Sequence, residues 1–104
     1  MDTNQIVARG KELLEARYGP RFAGLVLYGS EARHTSEPGS DIDLLVLLHP
    51  PLDWFAELRT IVDTLYPLQM ETERHISAKP AAVDEFESGC LQLYRNAKRE
   101  GSLV

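Results

Sequence analysis

The sequence contains a single cysteine, Cys90, among its 104 residues. An internal disulfide and a cysteine-based zinc cluster are therefore excluded. Basic residues are also scarce, 11 against 16 acidic ones, and the net charge of −5 argues against a protein that binds nucleic acid through a broad basic surface. No apolar run approaches the roughly 18 residues that a membrane-spanning helix needs, and the first residues do not resemble a signal peptide. We therefore expect a cytoplasmic protein that binds neither membranes nor, directly, nucleic acids.

The composition is that of an ordinary globular protein, with 43% hydrophobic and 26% charged residues. A length of 104 residues fits one domain, and the chain shows no repeat, no low-complexity tract and no long linker. We therefore treat residues 1–104 as a single domain with room for one hydrophobic core.

Two short apolar runs, at residues 22–28 and 42–48, are bounded by turn-forming residues and are too short for typical helices. Both predict buried strands. Before the first run, apolar residues at helical spacing predict a helix that ends at the Gly-Pro pair of residues 19–20. After the second run, a helix is expected to begin at Asp53 and to end at Pro67.

The last third of the chain has a weaker pattern. Apolar and polar residues alternate over residues 68–79, which predicts a half-exposed third strand. Pro80 is expected to open a last helix, with Cys90 in its apolar stripe and Gly101 at its end. Counting a short helical turn after Tyr28, the order α-β-α-β-α-β-α predicts an α/β or α+β fold with helices packed on a small sheet.

The most informative segment, at residues 27–46, reads LYGSEARHTSEPGSDIDLLV. Gly29 and Ser30 follow the first predicted strand and precede a turn that can become helical. A glycine there lets the backbone turn sharply, and exposed amides at a helix start favour an anion such as a phosphate. Ser30 adds a hydroxyl donor, so this turn is a candidate phosphate-binding element.

Asp41 and Asp43 open the second predicted strand. Side chains alternate across a strand, so both carboxylates are expected on one face. They repel each other unless a cation lies between them, and Mg²⁺ often takes one or two carboxylates together with substrate phosphates. Gly-Ser followed ten residues later by Asp-x-Asp arises by chance in only roughly one such chain in a thousand. A phosphate-binding turn beside a metal-binding pair is what phosphoryl or nucleotidyl transfer requires.

This arrangement resembles the signature of the polymerase-β-type nucleotidyltransferase superfamily. The short length, the LLVLL strand and the ending YRNAKREG are similar to its minimal nucleotidyltransferase branch. The resemblance implies a polymerase-β-like palm, which is a small mixed β-sheet with flanking helices. It also implies the transfer of a nucleoside monophosphate from a nucleoside triphosphate to an acceptor.

The resemblance assigns roles to five residues of the segment. Asp41 and Asp43 would hold two Mg²⁺ ions. Gly29 and Ser30 would bind the triphosphate. Arg33 lies in the family's G-S-x-A-R pattern and would reach a phosphate, the alternative being a surface salt bridge with a nearby glutamate.

The family usually supplies a third carboxylate from the third strand. Here that region reads LQMETERHIS and contains no aspartate. Glu71 and Glu73 have the same parity on the predicted strand, so both would face the site. We favour Glu73 as the group that helps to activate the acceptor hydroxyl, and the alternative is that both glutamates are solvated.

Many minimal members of the family are encoded beside a HEPN-domain ribonuclease toxin and act as its antitoxin by adding AMP to a tyrosine near its active site. The resemblance therefore implies that this chain transfers AMP from ATP to a hydroxyl of such a partner, in a type VII-like pair. Two alternatives stay open. One is an antitoxin that neutralises its partner by stoichiometric binding without catalysis, and the other is transfer to a small molecule such as an aminoglycoside.

Overall fold

The computed structural model describes residues 1–29 and 41–104 of the chain. The expected helical turn after Tyr28 falls on residues 30–40 and lies outside the described residues. In chain order the elements are α1 (Thr3–Tyr18), β1 (Phe22–Tyr28), β2 (Ile42–Leu48), α2 (Trp54–Gln69), β3 (Ile76–Ala82), α3 (Val83–Ser88), α4 (Gln92–Glu100) and β4 (Ser102–Leu103).

The four strands form one mixed sheet in the order β3-β2-β1-β4. Strand β1 pairs antiparallel with both β2 and β4, whereas β2 and β3 run parallel. A parallel pair needs a long crossover, and α2 supplies it. The predicted α/β fold, a small mixed sheet with flanking helices, is confirmed.

The two faces of the sheet are covered by different helices. Alternate residues of β2, such as Leu44 and Val46, pack with α1 and α2, and we call this side the helix-backed face. On the other side, Leu45 and Leu47 pack with residues of α3 and α4, including Phe86. We call this second side the open face, because its covering core does not include the first residues of β2 and β3.

Local signals place the first two long helices. The Asp2 carboxylate accepts a hydrogen bond from the Gln5 N–H at 2.8 Å, and the Gln5 side chain accepts one from the Asp2 N–H at 2.9 Å. This capping box starts α1, and Gly19 ends it as predicted. Asp53 caps α2 by accepting from the Ala56 N–H at 3.3 Å. No helix in residues 1–29 or 41–104 is long and apolar enough to cross a membrane.

The prediction of a helix end at Pro67 and of a strand from residue 68 is wrong. Helix α2 includes Pro67 and continues to Gln69, and the third strand begins only at Ile76. Leu68 fits both the alternating pattern of a strand and the repeat of a helix, because it lies three residues after Leu65. Packing in the core of the helix-backed face selects the helical period, and Leu68 is only 2% exposed there.

The prediction of a single last helix opened by Pro80 is also wrong. Pro80 lies within β3, which is an edge strand, and edge strands tolerate a residue without an N–H. The helical part is divided at Gly89, whose φ of +67° ends α3 before α4 begins. Cys90 follows this break and is exposed, whereas Gly101 ends the last helix as predicted.

Candidate active site

The two halves of the sequence motif lie against each other. Gly29 follows β1 with a φ of +77°, a conformation that L side chains rarely adopt. A Cβ built on Gly29 would be only 2.5 Å from Oδ2 of Asp43. The backbone conformation therefore favours glycine at this position, and a larger residue would also displace the Asp43 carboxylate.

Strand β2 carries the aspartates at its start. The strand begins at Ile42, whose N–H donates to the His75 carbonyl at 2.9 Å and whose side chain is fully buried on the helix-backed face. Asp43 is half-buried, and by alternation along the strand it faces the open side. Asp41 is exposed immediately before the strand. The carboxylate pair thus stands at the uncovered end of the open face.

Tyr28 lies beside Asp43 in the antiparallel pairing of β1 with β2. Burial raises the pKa of Tyr28 to about 12, and the negative charge of Asp43 acts in the same direction. The phenol is neutral at physiological pH, as tyrosine ordinarily is, and so adds no second negative charge beside the carboxylate. A cation bound here would be attracted by the Asp43 carboxylate.

Strand β3 places two residues that the sequence did not single out. Ser77 is the register partner of Asp43 in the parallel pairing, and Lys79 is the partner of Leu45. Ser77 and Lys79 therefore share the open face with Asp43. Ser77 is half-buried and Lys79 is exposed. The position beside Asp43 thus carries a hydroxyl and not a carboxylate.

The expected strand placement of Glu71 and Glu73 is wrong. Both are exposed residues between α2 and β3, because the third strand starts after them. Within residues 1–29 and 41–104, no three His, Cys, Asp or Glu side chains are grouped so that they could hold a metal ion. Neither glutamate is therefore brought to the aspartate pair, and the geometry gives no support for Glu73 as the third carboxylate.

Ser30 and Arg33 lie outside the described residues, so their phosphate-binding roles stay predictions. Asp41 and Asp43 do fit a hard cation. Mg²⁺ prefers oxygen ligands and commonly takes one or two carboxylates, completing its shell with phosphate oxygens and water. Gly29, at the end of β1, contributes no side chain of its own to the space beside the Asp43 carboxylate.

Comparison with known proteins supplies the family. A model of the nucleotidyltransferase domain matches residues 8–100. The chain belongs to the nucleotidyltransferase family. No curated protein matches this nucleotidyltransferase.

Solved structures share its fold. A chain of a toxin–antitoxin crystallised with AMP-PNP matches with a TM-score of 0.63 and 20% identity, over 91% of this nucleotidyltransferase and 69% of that chain. An MntA–HpeT toxin–antitoxin mutant, in which two aspartates two positions apart are replaced by glutamate, matches with a TM-score of 0.58 and 17% identity, over 99% and 72%. A Sulfolobus solfataricus protein described as a nucleotidyltransferase matches with a TM-score of 0.57 and 19% identity, over 95% and 78%. At these identities the likeness establishes the fold alone.

A second surface lies away from the carboxylates. Helix α2 exposes a row of large apolar side chains, and the first of them is 77% exposed: Phe55, Val62, Tyr66 and Met70. Beside this row, α2 and β3 enclose a groove of about 190 Å³ with an apolar lining that includes Ile61, Leu65 and Ile76. We call the row and the groove together the α2 surface. Apolar patches of this kind on a small protein commonly mark interaction sites.

Proposed function

We propose that this nucleotidyltransferase transfers AMP from ATP to a tyrosine hydroxyl of a HEPN-domain ribonuclease toxin, and so acts as the antitoxin of a type VII-like pair. The observation that carries the proposal is the contact of Gly29 with Asp43, which joins the expected phosphate-binding turn to the carboxylate pair. The toxin–antitoxin chains of the same fold, one of them crystallised with the ATP analogue AMP-PNP, support ATP and a toxin partner. The proposed catalytic unit is a single domain, residues 1–104, acting in the cytoplasm.

The proposed mechanism is in-line displacement at the α-phosphorus. Asp41 and Asp43 would hold Mg²⁺, which when bound neutralises the charge of the triphosphate. Gly29 has no side chain of its own to obstruct the phosphates. The acceptor oxygen forms a bond to the α-phosphorus, the bond from that phosphorus to the bridging oxygen breaks, and pyrophosphate leaves. The acceptor proton passes to solvent.

The α2 surface supports a macromolecular acceptor. An exposed row of Phe55, Val62, Tyr66 and Met70 costs solubility unless another protein covers it. The spacing of the last three, four residues apart along the helix, suits a partner helix laid against α2. A protein partner would in this way be anchored beside the sheet that carries the aspartates.

The neighbouring edge of β3 is protected against the addition of another strand. The Ile76 N–H donates to Oε1 of Gln69 at 2.9 Å, and the Pro80 carbonyl accepts from Nε1 of Trp54 at 3.0 Å. Pro80 itself has no N–H to offer to a new strand. These features favour a helical partner over pairing of β3 with a strand from another chain.

The decisive experiment measures the intact mass of the candidate HEPN toxin after incubation with this chain, ATP and Mg²⁺. We expect a gain of whole AMP units. Asp41→Asn with Asp43→Asn should slow the gain by at least about 100-fold, since both carboxylates of the metal site are lost. The matched control is Asp63→Asn with Asp84→Asn, which removes the same charge from exposed positions on α2 and α3. Equal rates for the two double variants would contradict the mechanism.

A second candidate function is neutralisation of the toxin by binding alone. The observation in its favour is the hydroxyl of Ser77 in the position beside Asp43. If toxicity is neutralised at equal dose by the Asp41→Asn/Asp43→Asn variant, binding is sufficient and catalysis is dispensable. In that case Val62→Asp, which places a charge in the exposed row of α2, should abolish neutralisation while leaving the melting temperature within a few degrees of wild type.

A further inference from the structure

We infer that Ser77 and Lys79 complete the open face beside Asp43, so that this nucleotidyltransferase holds one tightly bound divalent cation with its nucleotide and not two. The inference rests on the proposed nucleotide site and specifies its metal content. It departs from the two ions that the sequence resemblance implied.

The register of β2 with β3 determines which side chain lies next to Asp43. Neighbouring strands lie about 4.8 Å apart, and Ser77 is the residue directly beside Asp43. A carboxylate in this position would face the same volume as Asp43 and act as a further oxygen ligand. A neutral serine hydroxyl is a much weaker ligand for a hard cation than a carboxylate, because it brings no negative charge.

Lys79 adds a positive charge to the same face of the sheet. It follows Ser77 by two residues on the same face, about 7 Å further along the strand, and its four-carbon side chain can bring the ammonium group back towards Asp43. Among the described residues, two aspartates and one lysine sum to a charge of −1 here, whereas an aspartate in place of Ser77 would make the sum −2. The affinity of a carboxylate site for divalent cations follows the count of ligand charges, so the second cation loses most of its attraction.

The two sides of Asp43 carry different residues. Gly29, at the end of β1, lies on the β1 side of Asp43, and Ser77 with Lys79 lie on its β3 side. A cation shared with the triphosphate therefore keeps its phosphate and aspartate ligands. On the β3 side a further cation would meet the neutral Ser77 hydroxyl and, two residues along the strand, the positive charge of Lys79.

Lys79 has no evident structural duty. It is exposed and forms no ion pair with residues 1–29 or 41–104. Lysines on edge strands often discourage aggregation, but the β3 edge already has Pro80 and the hydrogen bonds from Trp54 and to Gln69. Its position on the open face is thus available for an electrostatic role in the site.

The experiment counts Mn²⁺ ions bound per full-length chain, by electron paramagnetic resonance, in the presence of saturating non-hydrolysable ATP analogue. We expect one Mn²⁺ for the wild type. Ser77→Asp should lower the dissociation constant of a second Mn²⁺ ion by at least about tenfold, and Lys79→Gln should lower it by less. Ser102→Asp, on β4 at the opposite edge of the sheet, and Lys11→Gln, on α1, are the matched charge controls and should leave the count at one.

Two Mn²⁺ ions on the wild type would overturn the inference, as would equal effects of Ser77→Asp and Ser102→Asp. Lys79→Gln keeps the test decisive if Ser77→Asp unfolds, since Lys79 is exposed. A wild-type chain that binds neither the nucleotide analogue nor Mn²⁺ would instead refute the proposed function itself. The two failures are therefore distinguishable in one titration.

Discussion

The helix-backed face of the sheet is closed and apolar, whereas the open face combines a small core with uncovered polar residues. On the first, Leu44 and Val46 are almost fully buried under α1 and α2. On the second, the core around Leu45 ends before Asp43 and Ser77, which are both half-buried. The same two strands therefore form both surfaces, and only the parity of a residue decides to which it belongs.

The helix-backed face therefore mainly supplies stability, whereas the open face can carry the chemistry. Large apolar groups under two long helices supply most of the burial that holds the sheet together. The uncovered end of the other face can then carry carboxylates, a phenol, a hydroxyl and an ammonium group without filling the core with unpaired polar atoms. Substitutions of matched chemistry on the two faces should accordingly have very different consequences.

The largest difference is expected between Leu44→Ala and Ser77→Ala. Leu44 is 1% exposed in the core of the helix-backed face, and truncating such a side chain costs about 2–5 kcal/mol of unfolding free energy. Ser77→Ala removes one half-buried hydroxyl and should cost less than about 0.5 kcal/mol. Urea unfolding of both variants checks the difference, and comparable losses would mean that the open face is as tightly packed as the other.

The next comparison makes the same substitution, glycine to alanine, at two positions where it should change stability in opposite directions. Gly29→Ala should destabilise by about 1–3 kcal/mol, because φ is +77° and the new Cβ would meet the Asp43 carboxylate. Gly10→Ala lies in α1, where the Cβ would meet Leu68 at an ordinary 3.6 Å, and should stabilise by about 0.5–1 kcal/mol through helix propensity. Thermal unfolding of the pair gives the signs. A Gly29→Ala variant that is as stable as the wild type would refute the tight approach of Gly29 to Asp43.

The smallest expected effect concerns alkaline pH. Burial raises the pKa of Tyr28 on the open face, and that of Tyr18 under the helix-backed face, to about 12 in each case. The unfolded chain releases these protons near pH 10, so the folded state binds more protons between about pH 10 and 12 and stability falls as the pH rises through that window. Tyr28→Phe should make this fall shallower and leave the part due to Tyr18 and to Tyr94, whose pKa is also raised by burial, as measured by urea midpoints across the window.

Asp43→Asn offers the complementary measurement on the same phenol. Burial is the larger cause of the raised pKa of Tyr28, and the Asp43 charge is the smaller one. The variant should therefore lower the pKa of Tyr28 only in part, as followed by the ultraviolet absorbance of tyrosinate against the Tyr28→Phe background. A return of that pKa to its ordinary value near 10 would show instead that the carboxylate charge dominates.

Local patterns were sufficient for the first half of the chain. The bounds predicted for β1 and β2 agree with the structure, because each is an isolated apolar run between turn residues. The caps at Asp2 and Asp53 are short-range hydrogen bonds and are equally readable. The sequence also predicted that Gly29 and Asp43 lie close together, because Gly29 follows one apolar run and Asp43 stands at the start of the next.

The second half of the chain was decided by tertiary contacts. Residues 68–75 carry both a strand-like and a helix-like pattern, and burial of Leu68 against α1 and β2 selected the helix. Pro80 is a helix-start signal by itself, but a free sheet edge accepts it equally well. The exposed row on α2 is indistinguishable in sequence from a core stripe, since only packing shows which apolar face is covered.

The amino-acid sequence by itself determined the α/β class, the turn at Gly29 and the aspartate pair at the start of β2, since all of these depend on residues close together along the chain. Only the tertiary structure decided that Ser77, and neither Glu71 nor Glu73, lies beside Asp43, with Lys79 two residues further along the same face. The physical reason is the register of a parallel strand. It is set by the crossover helix and by core packing, and a shift of one residue in that register turns every side chain to the opposite face.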